Sequence, residues 1–158
     1  LAIFLISGAY LKGKYAFLFP IVGIILTDLT LNPNYGVNLL EPFMIITVMS
    51  YFLIFFFGKK IGHQRTTPVI LGAGIVSAIA FHVITCTFSW ISNPAYNKTF
   101  YGWIQSLVTG EPGYAPSYLF LRNSVLSTAL FTVLFAYLAK GIALKQSSIR
   151  SKAILQAN

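Results

Sequence analysis

Long apolar runs separated by short clusters of Lys, Gly, Asn and Pro set the pattern of this chain. The run 118–140 follows Pro116-Ser117 and is apolar for most of its length. At ~1.5 Å rise per residue it reaches roughly 34 Å, enough to cross the ~30 Å hydrocarbon core of a bilayer. Upstream, Leu1–Leu11 is too short to span alone. Tyr15–Leu31 is long enough, and Pro20 inside it removes a backbone donor and predicts a kink. Glu41-Pro42 opens a helix to about Phe57, with an acid at the positive end of the helix dipole. Thr67 precedes Pro68 as an N-cap for a helix to about Ile91. Thr99–Thr109 is helix-like but too short to cross, and 32–38, Asn93-Pro94 and 110–116 carry loop chemistry. The pattern predicts an all-α, polytopic transmembrane helical bundle, with five crossings and one short re-entrant or interfacial helix. Because the chain opens at Leu1 inside an apolar run, a preceding helix is expected, for a total of six. Residues 1–140 form the transmembrane domain, and 141–158 a basic cytoplasmic tail.

Composition agrees with this reading. Hydrophobic residues make up 56% of the chain, charged residues 9%, and the mean hydropathy is +0.75, against about 25% charge in soluble domains. A net charge of +8 would favour nucleic acid in a soluble protein. Here the basic residues are divided among short loops and the tail, which is the signature of membrane topology and argues against a nucleic-acid partner. Lys12, Lys14, Lys59, Lys60, Arg65, Lys140, Lys145, Arg150 and Lys152 fall on one side with no acid among them. That side is expected to be cytoplasmic. The three acids, Asp28, Glu41 and Glu111, fall on or toward the other side with Lys98 and Arg122. The lone cysteine, Cys86, excludes an internal disulfide.

The charges inside apolar runs carry the candidate chemistry. Arg122 and Asn123 sit one turn into their helix, and Asp28 is the only acid embedded in an apolar run. A buried charge in a membrane helix is expected to have a partner. Asp28 and Arg122 fall at similar depth, as a structural ion pair or as a site where Arg122 grips a carboxylate or phosphate. His82, Thr85, Cys86 and Ser89 form one polar stripe at i, i+3, i+4 and i+7. His82 and Cys86 have metal-compatible spacing, but two ligands are too few, so a hydrogen-bonded helix seam is the default and no metal or cofactor is expected. Trp90 and Trp103 flank the short segment, as part of an interfacial aromatic belt or as a stacking surface for a flat ligand. Ala73 with Ser77 and Gly74 with Ala78 make small-xxx-small pairs, suited to internal packing or to docking a membrane subunit. No nucleotide loop, catalytic triad or paired carboxylates occur, so an enzyme is not expected.

Ser7-Gly8-Ala9-Tyr10-Leu11, Lys14-Tyr15-Ala16-Phe17-Leu18-Phe19-Pro20, Thr27-Asp28-Leu29 and Phe120-Leu121-Arg122-Asn123-Ser124-Val125-Leu126 resemble a family of small, poorly characterised bacterial membrane proteins grouped with transport proteins. The resemblance covers most of Ser7–Lys140. That family is similar in size and layout to the substrate-binding (S) components of energy-coupling-factor vitamin transporters. It implies six helices, an outward-facing pocket, an extra helix before Ser7 and a bacterial inner-membrane location. In the family Gly-Asp follows the Arg-Asn motif, where this chain has Ser127-Thr128, so a second acid in that helix is not expected here.

Two functions follow as expectations. The first is a substrate-capturing transport subunit for a small anionic or zwitterionic, vitamin-like solute. Its site would draw on Asp28, Arg122, Asn123, His82, Trp90 and Trp103, and a separate energising subunit would serve it. The second is a non-catalytic accessory subunit of a membrane complex, with Ala73, Gly74, Ser77 and Ala78 as partner contacts.

Overall fold

The structure, a computed structural model, describes residues 1–157 except 12, 14, 36–41 and 63–65, and gives the backbone alone at 19, 27, 28, 31–35 and 143–157. Its elements are six helices: α1 (Ala2–Tyr10), α2 (Tyr15–Tyr35), α3 (Pro42–Ile61), α4 (Thr67–Ser92), α5 (Phe100–Val108) and α6 (Ser117–Ala157). Among the described residues three segments are long and apolar enough to cross a membrane: Pro42–Ile61, Thr67–Ser92 and Ser117–Ile142. In α2 the apolar part, Tyr15–Leu26, is shorter than a span, and α1 has nine residues.

Several boundaries differ from the sequence reading. α2 passes through Pro20 and continues over Asn32–Tyr35, a stretch expected to be loop. α3 runs past Phe57 to Ile61, where Lys59 and Lys60 occupy its last turn and oppose the negative end of its dipole. The N-cap position of α4 is Thr66 rather than Thr67, without a capping bond from its side chain, and Pro68 lies inside the first turn. α6 crosses the expected boundary at 140 unbroken, because the residues after Gly141 are good helix formers such as Ala143, Leu144, Lys145 and Gln146.

α1 lies at the centre. It packs on α3, α6 and α2, while α4 packs on both α3 and α6. α1 runs parallel to α3, with Leu5 against Gly58 and Ala9 against Gly62. The approach is backbone to backbone. A Cβ on Gly58 would overlap the Leu5 carbonyl, a Cβ on Gly8 would overlap the Phe55 carbonyl, and one on Gly62 would lie 2.6 Å from the Ala9 carbonyl. Such contact needs residues without side chains, because a Cβ would meet the neighbouring backbone. α4 and α6 are antiparallel. Gly74 faces Thr128 and Thr132 near the middle, and Lys140 Nζ donates to Thr67 Oγ1 at 2.9 Å at one end. Ala73, Gly74, Ser77 and Ala78 are all buried inside the chain, so the small-xxx-small pairs are taken up by internal packing.

The core is carbon and aromatic. Phe4 stacks on Tyr51 with centroids 4.8 Å apart, and Tyr51 stacks on Phe81 at 5.4 Å, so three rings bridge α1, α3 and α4. Phe17 brings α2 onto α3 through Phe52 and Phe55. Lys59, Lys60 and Lys140 mark one end of the bundle, and α5 with its flanking loops closes the other.

Candidate functional site

The α5 end is where the described polar side chains meet. Asn93 ends α4 because Pro94 follows it and cannot continue the helix hydrogen bonds. The last carbonyls of α4 then need donors. Lys98 supplies them: its ammonium donates to the Trp90 carbonyl and, at 2.7 Å, to the Asn93 carbonyl. A cation there also opposes the negative end of the α4 dipole. Asn93 Oδ1 accepts from the Ala95 amide at 2.9 Å, and its Nδ2 donates to Glu111 Oε2 at 2.7 Å, tying the two loops together. The Trp90 indole donates to the Asn97 carbonyl at 2.9 Å. Gly102, beside that carbonyl, leaves no room for a Cβ. Thr99 caps α5 by accepting from the Gly102 amide at 3.2 Å.

α5 is amphipathic. Gly102 and Ser106 are buried, whereas Phe100, Tyr101, Ile104 and Val108 are exposed. Two bonds fasten its inner face to α4. The Trp103 indole donates to Thr87 Oγ1 at 2.9 Å, and His82 Nε2 lies 2.9 Å from the Leu107 carbonyl, which requires the proton on Nε2. His82 is buried, and the Cys86 sulfur lies 3.7 Å from its ring. Gly110 and Gly113, both at positive φ, turn the chain back into α6. Tyr96 is buried in the 93–99 loop. Burial pushes its phenol above the usual value of ~10, and the Glu111 carboxylate adds to the rise.

The expected site residues divide into two groups. His82, Trp90 and Trp103 converge on the α4–α5 junction, and each spends its polar atom on a protein partner there. Arg122 and Asn123 are exposed on the second turn of α6, where Arg122 Nε lies 3.3 Å from Asn123 Oδ1. Among the described residues Arg122 has no acidic partner. The Asp28 side chain lies outside the described residues. The helix that carries it packs on α1, and α1 packs on α6. No group of three or more metal-ligating side chains occurs among the described residues.

Sequence reading missed Asn93, Lys98, Glu111 and Thr87, the residues that build the cap. The visible signal was Lys98, a basic residue just past a helix end on the side otherwise poor in lysine.

One family covers nearly the whole chain, matching residues 1–150. The chain belongs to the family of unknown function DUF6580. No curated protein and no solved structure matches. DUF6580 membership thus fixes the relationship but assigns no chemistry, and the reading of the α5 end rests on its geometry.

Proposed function

We propose that this DUF6580 chain is a membrane transport protein, a non-catalytic subunit that captures a small anionic or zwitterionic solute at the end capped by α5. The observation that carries the reading is Arg122, a guanidinium in the second turn of a membrane-length helix, exposed beside the cap and without an acidic partner among the described residues. A planar fork of donors in that position suits a carboxylate or phosphate, with Asn123 adding a hydrogen bond. Asp28 would orient the arginine or a ligand amine. His82, Trp90 and Trp103 serve this reading by holding α5 in place. The resemblance to vitamin-transporter S components is consistent with it, including a separate energising subunit. In this reading α1 and α2 are embedded with the three long helices, giving five crossings. The basic end and C-terminus face the cytoplasm of a bacterial inner membrane.

A second reading, an accessory subunit of a larger membrane complex, is favoured by α6. Leu126, Leu130, Leu134, Leu138 and Ile142 are all exposed in one i, i+4 row, a ridge of the kind that packs into a partner helix groove. Mass spectrometry of small molecules that copurify with the wild-type protein separates the two. The transport reading expects a bound anion whose affinity falls more than tenfold, about 1.4 kcal/mol, in Arg122→Lys, because lysine keeps the charge and loses the fork. Equal affinity removes Arg122 from the site. A well-folded wild type that carries no ligand favours the accessory subunit.

A further inference from the structure

Arg122 stands in a row of exposed side chains. Tyr118, Arg122, Leu126, Leu130, Leu134 and Leu138 follow one another at i, i+4 along α6, and each is exposed. Such a row forms a ridge inclined about 26° to the helix axis. Thr128, Thr132 and Ala136 form the buried face of the same helix. The guanidinium thus ends an apolar ridge on the outside of the bundle. One edge of it is held within the chain, where Asn123 Oδ1 lies 3.3 Å from Nε. The two Nη groups of Arg122 and the Nδ2 of Asn123 have no partner among the described residues. Glu111, the one acid whose side chain is described, is taken by Asn93.

Helix geometry gives the depth of this group. The membrane-length part of α6, Ser117–Ile142, has its middle between Ala129 and Leu130. Centred in a hydrocarbon core of ~30 Å, it places the Arg122 backbone about 11 Å from the middle, roughly 4 Å inside the boundary, and that of Tyr118 about 17 Å from the middle. Tyrosine is enriched at the level of Tyr118. An arginine at the depth of Arg122 lays its stem against carbon and extends its guanidinium to the headgroups. The anion present at that level, all around the helix, is the lipid phosphate. Two parallel N–H···O bonds to a phosphate are the contact that a guanidinium makes best. A soluble anion needs a concavity to bury it, whereas a lipid brings chains that cover the ridge below.

We propose that Arg122 and Asn123 bind the phosphate of an anionic glycerophospholipid from the leaflet on the α5 side, with one acyl chain lying along Leu126, Leu130 and Leu134. The inference rests on the reading of Arg122 as an anion-binding residue and names the anion. The leucines alone would suit a partner helix as well. The unneutralised cation at the end of their ridge selects a lipid. An anionic headgroup is preferred to a choline headgroup, because no described carboxylate stands beside Arg122 to receive the choline.

Phosphatidylglycerol with a photoreactive diazirine in one acyl chain is the probe. Wild-type protein in phosphatidylcholine nanodiscs receives increasing amounts of it, and the peptides labelled on irradiation are mapped by mass spectrometry. We expect saturable labelling of 126–134 that unlabelled phosphatidylglycerol displaces and diacylglycerol, which lacks the phosphate, does not. Arg122→Gln should raise half-saturation about tenfold, the effect of losing a charge-assisted hydrogen bond, and Arg122→Lys should raise it less. Lys59→Gln together with Lys60→Gln, at the opposite end, should leave it unchanged. Equilibrium dialysis with glycerol phosphate, which has the phosphate and no chains, separates this inference from the reading it rests on. If glycerol phosphate binds through Arg122 while lipid labelling ignores Arg122→Gln at matched folded fraction, the lipid assignment falls and the anion reading stands. If neither depends on Arg122, both fall. Cross-linking of the ridge to a second protein chain in place of lipid would also overturn the proposal.

Discussion

The α1–α3 seam and the α4–α5 cap are held together by opposite means. In the seam, glycines bring backbone onto backbone, and Gly8, Gly58 and Gly62 leave no space for a methyl group. In the cap, nearly every junction is a directional bond, from Lys98 on the α4 carbonyls to His82 on Leu107. The difference is the one expected if the seam lies in lipid and the cap at the membrane edge. Lipid gives helices no hydrophobic reason to associate, so close packing must supply the attraction, whereas loops at the membrane edge carry backbone groups that need partners. The seam should therefore respond to added volume and the cap to lost donors.

Gly58→Ala is the most damaging change we foresee. Overpacking against a fixed backbone costs about 1–3 kcal/mol and occasionally more, and here the obstacle is the Leu5 carbonyl itself. Thermal unfolding in detergent should show a large loss, or no folded protein. Gly72→Ala is the matched control: nothing lies within 4 Å of its Cβ, so the change should stabilise the helix by up to ~1 kcal/mol. If both substitutions behave alike, the close approach of α1 and α3 is not what holds the seam.

His82→Ala tests the cap. It leaves the Leu107 carbonyl without its donor and opens a cavity, a loss of about 2 kcal/mol. The effect should be local, seen as faster hydrogen exchange in 100–110 with little change in 2–10. Uniform loosening of both regions would show that seam and cap are one unit.

The smallest effect is set by pH. The Tyr96 phenol titrates higher in the folded protein than in the unfolded chain, so the folded state holds the proton longer. This contribution is complete below pH ~10 and falls as pH rises above it. Tyr96→Phe should flatten the alkaline decline in stability. An unchanged alkaline limb would assign it to other groups.

The parts legible in the sequence were those with a period or a charge rule. Apolar runs gave the three membrane-length helices, and the brevity of Thr99–Thr109 gave α5. The small-xxx-small spacing of Gly74 and Ala78 correctly pointed to a helix seam. The tightest seam, through Gly8, Gly58 and Gly62, was hidden because Gly58 and Gly62 border Lys59 and Lys60 and read as loop chemistry. Helix ends at Ile61 and Ala157 were misplaced because polar and basic residues do not by themselves stop a helix, and the end at Tyr35 because α2 runs on through Pro33. Of the site, the His82 stripe was visible as a polar face, but its partner is a backbone carbonyl on α5, which no side-chain pattern can reveal. Arg122 stood out as a charge in an apolar run. Its exposure depends on which helices flank α6, and that order is tertiary information.

The separation of a basic end from a capped end is what the transport reading depends on. Single cysteines placed at Lys59 and at Lys98 in a Cys86→Ser background, labelled with a membrane-impermeant maleimide in intact cells and again after lysis, measure it directly. We expect Lys98→Cys to react in intact cells and Lys59→Cys only after lysis. Labelling of both positions from the same side would contradict a membrane-spanning α4 and, with it, a cap that faces outward.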